Sequence, residues 1–191
     1  MADASDGAVG PGTNHLVLSD RMNPERVRLC YRLLTAPSVD PSEINVIQVS
    51  YTKSAEDIVA EWREHVGTLP ANLYVVATQS SRGLNDESPV EENVTVVTAH
   101  PNDLTGLAMR LRDIVKEGLS DDRPLTVGFD SLTPLLEYND VQSTYKFLHM
   151  FTGRLAEVNA VTHFHLDPNA FEDKTVHKLK TLVDQIHSLE E

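Results

Sequence analysis

Apolar and polar positions along this chain follow two spacings, one suited to strands and one to helices. The short apolar segment 15-HLVLS-19 precedes a stretch in which Val27, Cys30, Tyr31 and Leu34 recur three and four residues apart, the spacing of one helical face. After the Pro-containing break 37-PSVDPSE-43 comes 44-INVIQVSY-51, apolar and β-branched, and then 54-SAEDIVAEWREHVG-67. That second segment predicts a helix with Ser54 as N-cap, Asp57 completing a variant capping box, and Gly67 near its C-terminal end. Two strand–helix units thus follow one another directly.

The runs 72-NLYVVAT-78 and 94-VTVVTA-99 predict buried strands, separated by a polar, Gly- and Pro-containing segment at 79–92 that reads as a mobile loop, either a lid or a plain linker. Asp103 or Asn102 then caps 104-LTGLAMRLRDIVKEGL-119, in which Leu104, Leu107, Ala108, Leu111, Ile114 and Val115 form one apolar stripe. Strand 125-LTVGFD-130 follows the turn 120-SDDRP-124. A helical region from Leu132 to Val158, interrupted near Asn139, leads to 160-AVTHFHL-166 as the last strand, and Thr175 to Leu189 is expected to close the chain as an amphipathic helix. Alternating strands and helices, with the strands apolar on both faces, predict a three-layer α/β domain over 14–191, with a mostly parallel central sheet and helices on either side. Residues 1–13, acidic and Gly-rich, read as a disordered leader and lack the basic and apolar regions of a signal peptide.

Charge narrows the function classes. The chain has 29 Asp and Glu against 16 Lys and Arg, for a formal net charge of −13. An anionic shell of this kind disfavours nucleic-acid backbones and anionic membranes, whose binding needs Lys and Arg to neutralise phosphates. The composition is also similar to that of halophilic proteins, which stay soluble where salt screens repulsion within a few Å. Cys30 is the single cysteine, so an intrachain disulfide and a Cys-based zinc cluster are both excluded and a reducing cytoplasm is expected. No apolar run approaches the roughly 20 residues of a membrane span.

In open α/β sheets, ligands sit at the carboxyl ends of the strands. There, 125-LTVGFD-130 followed by Ser131 resembles the Walker B strand of the RecA/KaiC superfamily. The segment 49-VSYTKSAEDI-58 looks like the KaiC-type segment in which a strand ends in two catalytic glutamates before a Ser-x-Glu-Asp helix start. From about residue 14 to 189, including 130-DSLTPLLEYND-140, 147-FLHMFTGRL-155 and 163-HFHLDPNA-170, the chain resembles a group of KaiC-like proteins from halophilic archaea.

That resemblance implies a nucleotide site, and the residues depart from it. A P-loop needs Gly-x-x-x-x-Gly-Lys-Ser/Thr, because glycine N–H groups cradle the phosphates and the lysine contacts the terminal ones. Here 19-SDRMNPERV-27 stands in that place, with Asp20 and Arg21 and no glycine. Thr52 and Lys53 occupy the positions of the paired glutamates, so the base that would polarise an attacking water is missing too. Asp130 and Ser131 are then expected as relics of a nucleotide site, with Asp130 satisfying nearby backbone N–H groups or capping the next helix.

The expectation is a non-catalytic regulatory or scaffolding protein without a cofactor. The resemblance implies that it works through protein contacts, with itself or with a true KaiC-like ATPase, in signal transduction. A small-molecule or nucleotide sensor is the alternative, with Arg21, Arg26 and Arg82 supplying positive charge to the strand-end crevice. A metal-dependent enzyme is the third, because period-2 alternation places His163, His165 and Asp167 on one face of a strand. That segment is superficially similar to the His-x-His-x-Asp-His motif of metallo-β-lactamases, but Pro168 replaces the final His. Ser131 lacks the Gly-x-Ser-x-Gly elbow of a nucleophile. Cys30 and Trp62 read as core residues. The stretch 143-STYKFLHMFTGRL-155 carries more apolar side chains than one narrow stripe holds, so part of its face is a candidate interface.

Overall fold

The computed structural model describes residues 9–78 and 91–189. Their sheet contains seven strands, β1 (Asn14–Leu18), β2 (Asn45–Ser50), β3 (Asn72–Ala77), β4 (Val94–Thr98), β5 (Leu125–Asp130), β6 (Val161–Leu166) and β7 (Gln185–Ser188). Every neighbouring pair is parallel, in the order β4-β3-β2-β5-β6-β1-β7. Six α-helices connect them: α1 (Pro24–Thr35), α2 (Ala55–His65), α3 (Leu104–Gly118), α4 (Leu132–Tyr138), α5 (Val141–Glu157) and α6 (Asp173–Lys180). Parallel strands require such crossovers, and the helices in turn cover both faces of the sheet. Among the described residues no helix is long and apolar enough to cross a membrane.

Local signals start the helices where the sequence places them. Pro24 stands at the first position of α1 behind Asn23, whose side chain accepts from Glu25 N. Ser54 and Asp57 form a complete capping box on α2. Asp103 caps α3 and Asp140 caps α5. The helix α2 stops at Gly67, whose φ of +92° is a conformation that glycine adopts without a Cβ penalty.

Period-2 alternation divides each strand between two cores. Leu16, Ile47, Val49, Val127, Phe129 and Phe164 pack under α3, α4, α5 and α6. On the other face, Val46, Leu73 and Val75 pack with Tyr31 and Leu34 of α1 and Ile58, Val59 and Trp62 of α2. Trp62 is fully buried and donates its indole N–H to Gln48 Oε1 at 2.5 Å. Cys30 is a buried core residue whose thiol pKa burial pushes up to about 12.

Two expectations are corrected. The chain does not close as a helix over 175–189: α6 ends at Lys180, and β7 pairs in parallel with β1. Without β7, one edge of β1 would leave its backbone groups unpaired, and Asp184 N and Leu189 N bond to Asn14 O and Leu18 O at either end of the pairing. The strand β4 is also not buried. It is an edge strand, with Thr95, Val96 and Thr98 exposed, because an apolar β-branched run does not reveal whether a partner lies on both sides.

Candidate functional site at the strand ends

The C-terminal ends of β1, β2, β5 and β6 converge where α1 crosses from β1 toward β2. Asp130 closes β5, and its carboxylate meets two cations. Arg26 Nη1 of α1 donates to Oδ1 at 2.8 Å, and Lys53 Nζ lies 3.3 Å from Oδ2. Lys53 also reaches Glu61 of α2 at 2.7 Å, and Tyr31 OH donates to Glu61 Oε2 at 3.0 Å. Burial of Asp130 raises its pKa, but the charges of Arg26 and Lys53 outweigh this and hold it below the usual carboxylate range, so the group is ionised. Among the described residues the Asp130 carboxylate pairs with side-chain cations and neither accepts from a backbone N–H nor caps the next helix, contrary to what the sequence led one to expect. The cap of α4 is Ser131, whose Oγ accepts from Thr133 N.

The β1–α1 connection is closed upon itself. Asp20 Oδ1 accepts from Met22 N at 2.7 Å, Asp20 O from Asn23 N, Asn23 Oδ1 from Glu25 N and Asn23 O from Arg26 N. Pro24 has no N–H to offer. The donors that usually make a helix N-terminus attractive to anions are thus occupied by the protein. Arg21 is exposed, as is Thr52, while the amides of Thr52 and Lys53 both donate to Ser50 Oγ. Arg82 lies outside the described residues, as do positions 79–90 of the 79–92 loop.

The histidines of β6 sit beside this cluster. His163 packs over Gly128, where an added Cβ would come within 2.8 Å of the imidazole Cε1, so the ring needs a strand neighbour without a side chain. Burial lowers its pKa to about 3 and keeps it neutral. His165 Nε2 lies 3.1 Å from Ser19 O, an oxygen that only accepts, so this nitrogen carries the proton; Nδ1, 3.0 Å from Ser131 Oγ, accepts. Burial, with Arg26 nearby, also lowers this pKa.

Alternation does place His163 and His165 on one face, but the metal expectation for His163, His165 and Asp167 is not met. Asp167 caps a short 3-10 turn by accepting from Asn169 N, and His165 is committed to Ser19 and Ser131. Among the described residues no group of three or more His, Cys, Asp and Glu side chains is placed to hold a metal ion. Ser131 does meet an imidazole, but its buried Oγ serves as a helix cap and the far nitrogen of His165 faces a carbonyl rather than a carboxylate.

The space beside Asp130, lined in part by Arg26, Gln48, Lys53, Glu61 and His163, amounts to about 20 Å³. One water needs roughly that much, and a small-molecule site several hundred Å³. Sequence reasoning placed Tyr31 only on the apolar face of its helix and did not single out Glu61. Their contact forms only when α1 and α2 pack side by side, so no local signal marks it.

An all-parallel sheet covered on both faces defines a three-layer α/β fold of the RecA-like kind, with its polar cluster at the strand ends. Within that class the chain belongs to a family of unknown function, DUF7504, whose model matches residues 12–189. The crystal structure of the flagellar accessory protein FlaH from Methanocaldococcus jannaschii is similar over 97% of this chain and 74% of that one, with a TM-score of 0.62 at 12% identity. The PH0250 structure from Pyrococcus horikoshii OT3 is similar over 95% and 83%, with a TM-score of 0.60, also at 12% identity. At such identity the likeness is one of fold. No curated protein matches the chain.

Proposed function

We propose that this chain is a non-catalytic regulatory or scaffolding protein of the RecA-like class, acting through protein contacts, whose former nucleotide cleft is held shut by ion pairs. The observation that carries this reading is the Arg26–Asp130–Lys53–Glu61 chain of charges at the strand ends. Phosphoryl transfer depends on positioning and on neutralising phosphate charge with a metal ion, a lysine and backbone donors. A metal ion approaching Asp130 would have to displace both Arg26 and Lys53. A phosphate approaching α1 would find the amides of Glu25 and Arg26 already bonded and Pro24 without one. Asp130 and Ser131, on this reading, are structural remnants, and Asp20, Arg21, Thr52 and Lys53 mark where the catalytic parts were lost.

Calorimetric titration with Mg²⁺ and ATP, and separately with ADP, in molar KCl tests the proposal. The expected result is no heat of binding at concentrations that would reveal a micromolar site. ATP turnover that disappears in Asp130→Ala would overturn it, and binding without turnover would make the chain a nucleotide sensor instead.

A further inference from the structure

The two helices that run along the apolar face of the sheet, α3 and α5, do not close over one another completely. Between them lies a groove of about 240 Å³, lined by Ala108, Met109 and Val115 from α3 and by Phe147, Met150 and Phe151 from α5, with Arg112 and Arg154 at its margins. A cavity of about 150 Å³ already admits a benzene-sized group, so this one takes a large apolar side chain with room to spare. Met109 and Met150 are 54% and 57% exposed, unlike the buried Phe147 and Phe151 beneath them. Met150 thus accounts for the surplus apolar character of the 143–155 stretch. Unbranched, polarizable methionine side chains adapt to the shape of whatever apolar group they meet.

Charge selects the occupant. Helices α3 and α5 carry five Lys and Arg against three Asp and Glu, whereas the whole chain has 16 against 29. Arg112 is shared with its neighbour Asp113, but Arg154 has no acidic partner among the described residues. Two parallel ridges with an apolar floor and basic margins match the face of an amphipathic helix, large apolar groups at its centre and carboxylates along its edges. A second copy is a poor match: it would bring the same arginines to the same groove, and each copy carries a net charge of −13.

We infer that the α3–α5 groove is a docking site for an amphipathic helix of a partner protein, with its apolar face on Met109 and Met150 and acidic residues against Arg112 and Arg154. The inference rests on the scaffolding reading and gives that reading a contact surface. It is tested away from the Asp130 cleft, so nucleotide binding leaves its outcome untouched.

The probe is a fluorescein-labelled synthetic peptide of about 20 residues, long enough for helix to form on contact, with Leu and Phe on one face and Glu on its flanks. A second peptide replaces every Glu with Lys. Fluorescence anisotropy should show saturable binding of the Glu peptide and at least about tenfold weaker binding of the Lys peptide. Met150→Glu should abolish binding, and Arg154→Glu should narrow or invert the preference between the peptides. Both positions are exposed on the outer face of α5, so the fold persists, as near-UV circular dichroism will show. Equal binding of the two peptides, binding unchanged in Met150→Glu, or no binding overturns the inference. A concentration-dependent dimer in sedimentation that Met150→Glu removes would also overturn it, by assigning the groove to a second copy.

Discussion

On β5, Leu125, Val127 and Phe129 point to one side of the sheet while Thr126, Gly128 and Asp130 point to the other, and the whole sheet follows suit. The side under α3 to α6 is filled by aliphatic and aromatic groups. The side under α1 and α2 carries a cross-strand row in which Gln48, Gly128, His163 and His15 are register partners. One side stabilises mainly by burial; on the other, several polar groups are accommodated by a specific neighbour, while Thr126 Oγ1 is buried without a partner among the described residues. Trp62 serves Gln48, the bare backbone of Gly128 makes space for His163, His187 and Thr13 bond the two nitrogens of His15, and Arg26 with Lys53 serves Asp130. A buried polar group costs stability unless satisfied, so a sequence that keeps such a row must place its partners well. The polar side is also the one crossed by α1 at the strand ends, where ligands bind in sheets of this kind.

The largest effect should come from the apolar side. Phe129→Ala leaves a cavity between β5 and its neighbours and should cost about 3–5 kcal/mol by urea denaturation. On the polar side, Asp130→Asn leaves Arg26 without its carboxylate and should cost about 3 kcal/mol, the lower end for a broken buried pair because the aspartate side chain is 23% exposed. If Asp130→Asn instead stabilises the fold, the ion pairs do not hold the cleft, and the two sides differ less than the geometry says.

Only the polar side should respond to mild acid. Burial lowers His163 to about 3, and burial together with His187 lowers His15 to about 4, from an ordinary 6.5. Between those values the unfolded chain binds protons that the folded chain refuses. Stability is therefore complete above pH 6.5 and is lost as pH falls, by about 1.4 kcal/mol per pH unit for each histidine. Denaturation curves at pH 7, 6 and 5 should show that loss, and His163→Gln should remove only part of it, because the pKa values of His165 and His187 are lowered by burial as well. The smallest effect is expected from Gly128→Ala, about 1–3 kcal/mol, since the added methyl presses on the His163 ring and, at 3.3 Å, on Leu34. A neutral result there would mean that the ring can shift and that His163 is less tightly specified than Phe129.

Much of this architecture is legible in the chain because its signals are local. Ser54 and Asp57 announce α2 from within four residues, and the alternation of 125-LTVGFD-130 announces both faces of β5. The C-terminal strand was hidden because Val176, Leu179, Leu182, Val183 and Ile186 continue a helical spacing, while the reason for β7 lies on the open edge of β1. The site shows the same division. Asp130 stands out as the polar end of an apolar run, yet its first partner, Arg26, is 104 residues away. Lys53 reads in the sequence as the loss of a glutamate; only the folded chain shows what it binds instead.

The strand order has a consequence for how the chain is made. Strand β1 is the first of the seven described strands to be synthesised, but both of its neighbours, β6 and β7, are the last two. At roughly 5–20 residues per second, the first strand waits on the order of 10 s for its hydrogen-bonding partners. Throughout that interval its unpaired N–H and C=O groups are a template for any nascent strand nearby, and the sheet can be completed only after Gln185–Ser188 has been made.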